Sequence, residues 1–336
     1  METGYILLML EDSFHRQITY LRISVTDRCN LRCIYCMPAE GIKWQPHTDI
    51  LTYEEITNVV KTAAGLGINS IRLTGGDPLV RKGITRLVRH IADIPQITDI
   101  SLTTNGILLK SMAKELADSG LHRVNISLDT LDAEKYGRIN RCGSLNQVWE
   151  GIEAAEKAGM KPIKINTVVL RGINDDELLD LAALSLEHAW QIRFIEYMPV
   201  IKHQLPEGAA MSMEKVFIPV QEMMARLNHL GLEPVNSGVG NGPAREYRLN
   251  NAPGTIGFIS PIGEHFCQSC NRLRLTADGN LRPCLLSDLE IPLRQALRSG
   301  GEIQPLIEQA VSLKPPCHHL DATPSSYART MREIGG

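Results

Sequence analysis

Two groups of closely spaced cysteines are the residues of this chain best suited to chemistry. The chain has eight cysteines, and six of them form the triplets Cys29-x3-Cys33-x2-Cys36 and Cys267-x2-Cys270-x13-Cys284. Three thiolates can hold three corners of a four-iron, four-sulfide cluster, which leaves one iron open to a small molecule. Clustered cysteines in a chain without secretory features predict metal binding or redox chemistry rather than disulfides.

Zinc is the alternative occupant of each triplet. A structural zinc site at the first triplet would need a fourth ligand, and neither His15 nor His47 lies at a familiar zinc spacing. At the second triplet, Cys317 or a histidine could complete a zinc knuckle, so zinc and a cluster both stay open there. We expect the two remaining cysteines, Cys142 and Cys317, to be buried structural thiols.

The elements that would position the triplets alternate between strands and helices over the first two-thirds of the chain. Strands are predicted at 18–25, 70–74, 99–103, 123–128, 162–169 and 191–196. Helices are predicted near 53–66, 82–93, 108–119, 145–158 and 175–188, with helix stops at Gly120 and Gly159. Repeated βα units predict an α/β fold with a parallel sheet, most simply a partial (βα)6 TIM-like barrel.

Polar residues recur at every second position of several predicted strands, although parallel strands buried on both faces are usually apolar. The alternating polar residues are Arg22 and Ser24, Arg72 and Thr74, Asn125, Ser127 and Asp129, and Lys164 and Asn166. In a barrel the apolar set must face the helices, so the polar set faces the lumen. An antiparallel sheet with one wet face is the alternative, which the βα alternation disfavours. Burying three cations costs several kcal/mol per ion unless an anion accompanies them, so the lumen predicts a phosphate-bearing substrate.

The rest of the chain predicts a smaller second domain. A polar loop is predicted at 201–213, followed by a helix near 214–230 and a glycine-rich loop at 238–243. The predicted limits are 1–12 for an N-terminal extension, 13–230 for the barrel, and 231–336 for a C-terminal domain that carries the second triplet and a Gly-Gly tail. On the residues alone, Arg272 and Arg274 near the second triplet could also form a solvated basic face of a strand.

Composition and net charge indicate which classes of partner to expect. Hydrophobic residues make up 43% and charged residues 22% of the chain, which is ordinary for a globular enzyme. A formal net charge of −3 gives no general electrostatic reason to bind nucleic acid or an anionic membrane, so neither is expected as a partner. The apolar run at 5–10 is too short to span a bilayer and lacks the flanks of a signal peptide, which predicts a cytoplasmic location.

Motifs around the first triplet resemble a known superfamily. With Tyr35 between its last two cysteines, the triplet resembles the signature of radical S-adenosylmethionine (SAM) proteins. By itself, Gly75-Gly76-Asp77-Pro78 predicts a tight turn. After the second predicted strand it is similar to the superfamily's glycine-rich motif, in which position 77 is usually Glu.

Further segments narrow the resemblance to the GTP 3′,8-cyclases of molybdenum cofactor biosynthesis (the MoaA family). These segments are Tyr20-Leu-Arg-Ile-Ser-Val-Thr-Asp-Arg-Cys, Gly172-Ile-Asn-Asp-Asp, Arg193-Phe-Ile-Glu-Tyr-Met, Phe266-Cys-Gln-Ser-Cys-Asn-Arg-Leu-Arg and Gly335-Gly336. The similarity runs from about residue 12 to the end of the chain. Ser70 departs from it, since some relatives have Lys there.

The resemblance implies two 4Fe-4S clusters and SAM as cosubstrate. The first triplet would hold the SAM cluster, and the second would hold an auxiliary cluster whose open iron binds guanine. SAM would be placed by Tyr35, Gly76, Ser127 and Met198. GTP would be held by Arg22, Arg72, Thr103, Lys164, Arg193, Arg272 and Arg274.

The implied reaction is a radical cyclisation. A 5′-deoxyadenosyl radical would take hydrogen from the ribose 3′ carbon of GTP, and the ribose radical would add to carbon 8 of guanine, giving 3′,8-cyclo-7,8-dihydro-GTP. An electron donor of unknown identity would supply the reducing electron. The next pathway enzyme, cyclic pyranopterin monophosphate synthase, would accept the product. The sequence leaves open whether the chain forms a homodimer.

Two other functions stay open on the sequence. One is a radical SAM peptide maturase with an auxiliary cluster, although such enzymes usually carry more C-terminal cysteines. The other is a zinc-binding regulatory or nucleic-acid-binding protein, against which the negative net charge counts. The terminal Gly335 and Gly336 predict a frayed end on residues alone. The resemblance instead implies a tail that inserts beside the first triplet and acts in catalysis.

Overall fold

One mixed sheet of twelve strands organises the chain in the computed structural model, which describes residues 9–200, 213–235, 242–318 and 329–335. The strands are β1 Tyr20–Ser24, β2 Ser70–Thr74, β3 Asp99–Thr104, β4 Arg123–Ser127, β5 Lys164–Val169, β6 Gln191–Glu196, β7 Glu233–Pro234, β8 Arg245–Arg248, β9 Thr255–Ile259, β10 Arg272–Leu275, β11 Asn280–Arg282 and β12 Ile291–Pro292. Their order across the sheet is β12-β11-β10-β1-β2-β3-β4-β5-β6-β9-β8-β7.

The parallel part of the sheet is longer than the sequence predicts. The six predicted strands are confirmed as β1 to β6, in sequential parallel order. β10 adds to β1 and β9 adds to β6, both in parallel, so the C-terminal third of the chain extends the barrel wall at both edges. The α/β fold and the partial barrel are therefore confirmed, whereas the predicted domain limits stay a prediction.

Ten helices within the described residues accompany the sheet. They are α1 Tyr53–Gly65, α2 Ile84–Ala92, α3 Leu109–Asp118, α4 Ala133–Asn140, α5 Leu145–Lys157, α6 Leu178–Glu187, α7 Met213–Val216, α8 Val220–Leu227, α9 Arg294–Ser299 and α10 Gln304–Ser312. Gly120 and Gly159 follow α3 and α5 with φ of +100° and +82°, which confirms both predicted stops. Within the predicted helix 175–188, a 3-10 turn at Asp175–Glu177 precedes α6.

Two helix predictions need correction. The single helix predicted near 214–230 is wrong, because Pro219 separates α7 from α8 with an extended backbone, φ −71° and ψ 150°. A proline cannot continue the first helix and disfavours a helical residue before it. α4 was not predicted, although Asp132 caps it by accepting a hydrogen bond from the Lys135 amide at 2.7 Å.

Apolar and polar side chains lie on opposite faces of the barrel strands, as the alternation predicts. Leu21, Ile23, Ile71 and Leu73 are fully buried in the main hydrophobic core, which the helices cover. The polar residues between them face the barrel interior. Residues 201–212 and 238–241 of the two predicted loops lie outside the described residues, and Met213, predicted as loop, begins α7.

Within the described residues, none of the helices combines the length and the apolar character needed to cross a membrane.

The expectation that Cys142 and Cys317 are buried is wrong, because both side chains are exposed. Cys142 lies in the turn after α4, between Arg141 and Gly143, which both have positive φ. Cys317 follows the Pro315-Pro316 pair beyond α10, so both cysteines lie in loops on the surface.

Candidate active site

The first triplet lies in the loop that follows β1, with three partly buried thiols that form no disulfide. The amides of Cys36 and Met37 donate to the carbonyl of Cys33 at 2.9 and 3.0 Å, which folds the loop tightly around the triplet. Burial raises the pKa of all three thiols, that of Cys29 to about 12, and neighbouring thiols add to the effect at Cys29 and Cys33. Metal coordination would offset these shifts, since it favours the thiolate.

The glycine turn after β2 packs directly on this loop. Gly75 has φ +141°, and a side-chain carbon on Gly76 would lie 2.1 Å from the carbonyl oxygen of Arg28, so both positions require glycine. The Gly76 amide donates to the Thr26 carbonyl at 2.8 Å, and the Asp77 amide donates to the Arg28 carbonyl at 2.8 Å. The turn therefore fixes the position of the cysteine loop.

The Asp77 carboxylate is buried and points toward the loop after β3. It accepts hydrogen bonds from Thr104 Oγ1 at 2.8 Å and from the amides of Asn105 at 2.7 Å and Leu79 at 2.9 Å. The Asn105 side chain in turn lies 3.7 Å from the sulfur of Cys29. Asp77 thus positions a neighbour of the first triplet, in place of the longer Glu that the motif usually has.

Tyr35 links the first triplet to β4 and β5. Its hydroxyl donates to Asp129 at 2.6 Å, and Asp129 also accepts from the Val168 amide at 2.9 Å. Burial raises the pKa of Asp129 to about 6. The sequence assigned no role to Asp129, although the alternation that ends β4 places it on the lumen side.

The second triplet is assembled around β10 and β11. Cys267 begins a 3-10 turn before β10, and Cys270 follows that turn. Cys284 follows β11, and all three line the same cavity as Cys36. Burial raises the pKa of Cys270, but Lys314 and Arg272 more than offset this, and the net pKa is lowered. A lowered thiol pKa favours the thiolate, which is the form that binds metal.

Lys314 is a residue near the second triplet that the sequence reasoning missed. Its buried ammonium donates to the carbonyls of Arg272 at 2.8 Å and Pro283 at 2.6 Å. These bonds tie the segment after α10 to the strands on either side of the triplet. No local signal singles out Lys314, because the segment 303–314 also contains Gln304, Glu308 and Gln309.

Three arginines form a row across neighbouring strands of the barrel wall. Arg274 of β10 pairs in register with Arg22 of β1, which pairs with Arg72 of β2. Neighbouring strands lie about 4.8 Å apart, so three cationic side chains share one level of the lumen. Burial and Arg274 lower the pKa of Arg22, and burial and Arg272 lower that of Arg274 to about 10. An anion in the lumen would reverse these shifts.

Lys164 and Arg193 extend this charge toward the other edge of the parallel strands. Burial, together with Arg193, Arg123 and Arg72, lowers the pKa of Lys164 to about 6. Burial and Arg72 lower the pKa of Arg193 to about 9. Thr103 Oγ1 and Asn166 Oδ1 are buried polar atoms of the same wall that have no hydrogen-bond partner among the described residues. A polar ligand in the lumen would satisfy these two oxygens, and an anionic one would also offset the lowered pKa values of Lys164 and Arg193.

One cavity of about 280 Å³ brings most of the predicted site residues together. Its walls include Tyr35, Cys36, Arg22, Arg72, Thr103, Ser127, Arg193, Met198, Cys267, Cys270, Arg272, Arg274 and Cys284. Cys29, Cys33, Gly76, Lys164 and Gly335 are not among the lining residues, and Gly336 lies outside the described residues. The cavity also touches Asp129 and Asn166, to which the sequence assigned no role.

The tail folds back onto the mouth of the barrel. Ile334 is fully buried, and Arg332 donates to the Asp27 carbonyl at 3.3 Å. Gly335 has φ +72°, and a side-chain carbon there would lie 2.7 Å from Thr74 Cγ2. Its carbonyl accepts a hydrogen bond from Arg274. These contacts argue against a frayed end.

Arg329 anchors the start of this tail. Its guanidinium contacts Asp278 at 2.8 Å and Glu290 at 2.6 Å, in the region of β11 and β12. The ion pairs are largely shielded from solvent, since the three side chains are 15 to 20% exposed. Both ends of the tail segment 329–335 are therefore fixed to the C-terminal strands.

Comparison with known proteins agrees with this geometry. The chain matches the Radical SAM superfamily model over residues 23–184 and the Molybdenum Cofactor Synthesis C model over residues 190–320. It is 50% identical to the GTP 3′,8-cyclases of Moorella thermoacetica and Pelotomaculum thermopropionicum, in each case over 97% of this chain and 100% of the relative.

Solved structures support the fold alone. The crystal structure of Streptococcus suis SuiB superposes with a TM-score of 0.58 at 14% identity, covering 81% of this chain and 62% of that one. The full-length similarity at half identity and the two matched models lead to one assignment. This chain belongs to the GTP 3′,8-cyclase family and contains a radical SAM domain.

Proposed function

We propose that this chain converts GTP to 3′,8-cyclo-7,8-dihydro-GTP in molybdenum cofactor biosynthesis, using SAM and 4Fe-4S clusters. The observation that carries the proposal is the shared cavity, which is lined by cysteines of both triplets and by the arginine row of β10, β1 and β2. A radical enzyme for a triphosphate needs these groups to face one enclosed space, where water cannot quench reactive intermediates.

Cys29, Cys33 and Cys36 hold the cluster that serves SAM. When bound, that cluster supplies the electron that cleaves SAM to methionine and a 5′-deoxyadenosyl radical. Tyr35, Ser127 and Met198 line the cavity beside Cys36 and orient SAM. Gly76 contributes through its carbonyl, because its amide already donates to Thr26.

Cys267, Cys270 and Cys284 hold a second 4Fe-4S cluster. The lowered pKa of Cys270 and the anchoring of its loop by Lys314 support this assignment. These thiols and Cys36 line one cavity, in which the second cluster would hold the guanine base and the first would hold SAM. Hydrogen removal from ribose carbon 3′ and bond formation at carbon 8 would then occur between them.

The triphosphate binds the basic part of the lumen. Arg22, Arg72 and Arg274 supply three guanidinium groups on one level, with Arg272, Arg193, Lys164 and Thr103 around them. Guanidinium groups bind phosphate oxygens in a bidentate manner, so the row fixes the position as well as the charge of the substrate.

Partners outside the chain complete the proposal. A one-electron donor reduces the first cluster, and cyclic pyranopterin monophosphate synthase takes the product. We propose that both steps occur in the cytoplasm, and the chain acts as a monomer or a homodimer.

Anaerobic turnover with dithionite, SAM and each nucleoside triphosphate in turn tests the proposal. GTP should give stoichiometric 5′-deoxyadenosine and a cyclised product, whereas ATP, CTP and UTP should give only the background rate. Equal 5′-deoxyadenosine formation with all four nucleotides, or none above background with GTP, would refute the assigned substrate.

A further inference from the structure

Three metal-binding side chains converge at the edge of the second triplet. The ligand atoms of His265, Cys267 and His318 all lie within 4.8 Å of one another. Nδ1 of His265 and Nε2 of His318 are 3.0 Å apart. Tetrahedral zinc has Zn–N distances of about 2.0–2.1 Å and a Zn–S distance of about 2.3 Å, which separates its ligand atoms by about 3.3–3.6 Å. The trio therefore needs only small side-chain movements to surround one ion.

Existing contacts hold the segments of this trio together. Cys267 and His265 precede β10, whereas His318 arrives from the segment after α10. The buried guanidinium of Arg16 donates to the carbonyls of Cys267 at 2.7 Å and Pro316 at 3.1 Å, so it ties both segments. The main chain of His318 also donates a hydrogen bond to the Cys267 thiol. The convergence is thus built into the loops around the site.

Exposure gives an ion access to the trio from outside the cavity. His265 is exposed, while His318 is 9% exposed and lines the cavity. Two imidazoles and one thiolate are a familiar donor set for zinc, and three protein ligands leave a fourth position for water. A histidine that completes a zinc site here is also one of the alternatives that the sequence left open.

We propose that His265, Cys267 and His318 form a Zn²⁺ site that competes with the second iron–sulfur cluster for Cys267. One thiolate serves both sites, so zinc bound by the trio blocks assembly at the second triplet and leaves the first triplet free. The zinc site is inferred from the geometry of the trio alone. The competition between zinc and the second cluster for Cys267 also rests on the proposed function.

The zinc site is tested in the full-length chain with the other five triplet cysteines changed to Ala, so that Cys267 is the remaining triplet thiol. After removal of metal by a chelator, this chain should bind about one Zn²⁺, and Co²⁺ should give a thiolate charge-transfer band. Adding His265→Gln or His318→Gln should weaken zinc binding at least tenfold, whereas His229→Gln on an exposed 3-10 turn should not. His265 is exposed, so its variant is expected to fold. No zinc binding by the five-alanine chain, or unchanged binding after loss of both histidines, overturns the proposal.

Competition is tested by iron reconstitution of the chain with all its cysteines. Without zinc the chain should take up about eight irons, and prior addition of one equivalent of Zn²⁺ should reduce this to about four. The His265→Gln/His318→Gln variant should keep about eight under both conditions. An equal loss of iron in both proteins would overturn the competition. Uptake of about four irons without any zinc would instead refute the second cluster. The zinc site would then be tested by zinc binding to the five-alanine chain alone.

Discussion

Arg274 donates a hydrogen bond from its guanidinium to the main-chain carbonyl of Gly335. The same arginine pairs in register with Arg22 in the basic row of the barrel wall. One side chain therefore joins the C-terminal tail to the proposed triphosphate site. Because of this bond, movement of the tail should alter the position of a substrate-binding group, and substrate should stabilise the docked tail.

Gly335→Ala should abolish most of the cyclised product while leaving iron content normal. Alanine at φ +72° costs about 1 kcal/mol or more, and at this position its methyl carbon would also lie 2.7 Å from Thr74 Cγ2. Gly300→Ala is the matched control, because Gly300 has the same φ of +72° with open space around it. Product and iron are measured in the same preparation of each variant.

Deleting residues 335 and 336, or appending residues after 336, should have the same effect as Gly335→Ala. Deletion removes the carbonyl that Arg274 contacts, and appended residues would crowd the docked end, while the sheet and both triplets stay unaltered. Normal turnover by the truncated chain would show that the two terminal glycines have no part in catalysis.

Replacing Cys29, Cys33 or Cys36 with Ala should eliminate SAM cleavage and leave the second triplet loaded. The two triplets are held by separate loops, one after β1 and the other around β10 and β11. Iron should therefore fall from about eight to about four per chain, and not to zero. Loss of all iron from each single variant would mean that the two sites do not assemble independently.

Lys164→Ala and Arg274→Ala should weaken GTP binding far more than SAM binding. Each charge-assisted hydrogen bond that is lost is worth about 1.5–3 kcal/mol, or roughly 10- to 150-fold in affinity. Arg86→Ala is the control, because Arg86 is exposed and pairs only loosely with Glu54 at 3.6 Å. Equal effects on the two ligands would place the triphosphate elsewhere. The measurement is equilibrium binding of each ligand under anaerobic conditions.

GTP binding at about pH 8 should be accompanied by proton uptake at Lys164. The folded chain holds the pKa of Lys164 at about 6, well below its ordinary 10.5, so the side chain is neutral without ligand. Between these two pKa values the unfolded chain binds one more proton at Lys164 than the folded chain does. Lys164 therefore lowers the free energy of unfolding in this pH range, and this destabilisation diminishes as pH rises. A bound phosphate reverses the effect by favouring the ammonium.

Calorimetry in buffers of different ionisation enthalpy measures this uptake. The wild-type chain should take up about one proton more on binding GTP than Lys164→Met does. Indistinguishable proton uptake by the two proteins would show that Lys164 does not respond to the substrate.

Periodicity predicted the barrel and the direction of its polar side chains. Six strands could be placed because helices follow them at regular intervals, and the alternation of Arg22 with Leu21 and Ile23 indicated which side chains face inward. The sequence did not predict that β9 and β10 would extend the same wall. Tyr20 of β1 pairs with Arg272 of β10, 252 positions away, and Gln191 of β6 pairs with Thr255 of β9, 64 positions away. Local patterns contain no signal for either pairing.

The residues that sequence reasoning missed act through tertiary contacts. Lys314 reaches the second triplet by hydrogen bonds to carbonyls of two other segments, and His318 meets Cys267 where Arg16 ties their loops together. Asp77 is similar: its motif fixed its position in the chain, but the direction of its carboxylate depends on Thr104 and Asn105. The fold had to be known before these roles could be assigned.

The most direct measurement follows a single hydrogen atom from substrate to cosubstrate. GTP deuterated at ribose carbon 3′ is incubated anaerobically with the reduced, iron-loaded chain and SAM, and the 5′-deoxyadenosine is examined by mass spectrometry. We expect one deuterium in 5′-deoxyadenosine and its loss from the cyclised nucleotide, with no transfer in the Cys29→Ala variant. Unlabelled 5′-deoxyadenosine formed together with product that retains the 3′ deuterium would contradict this expectation.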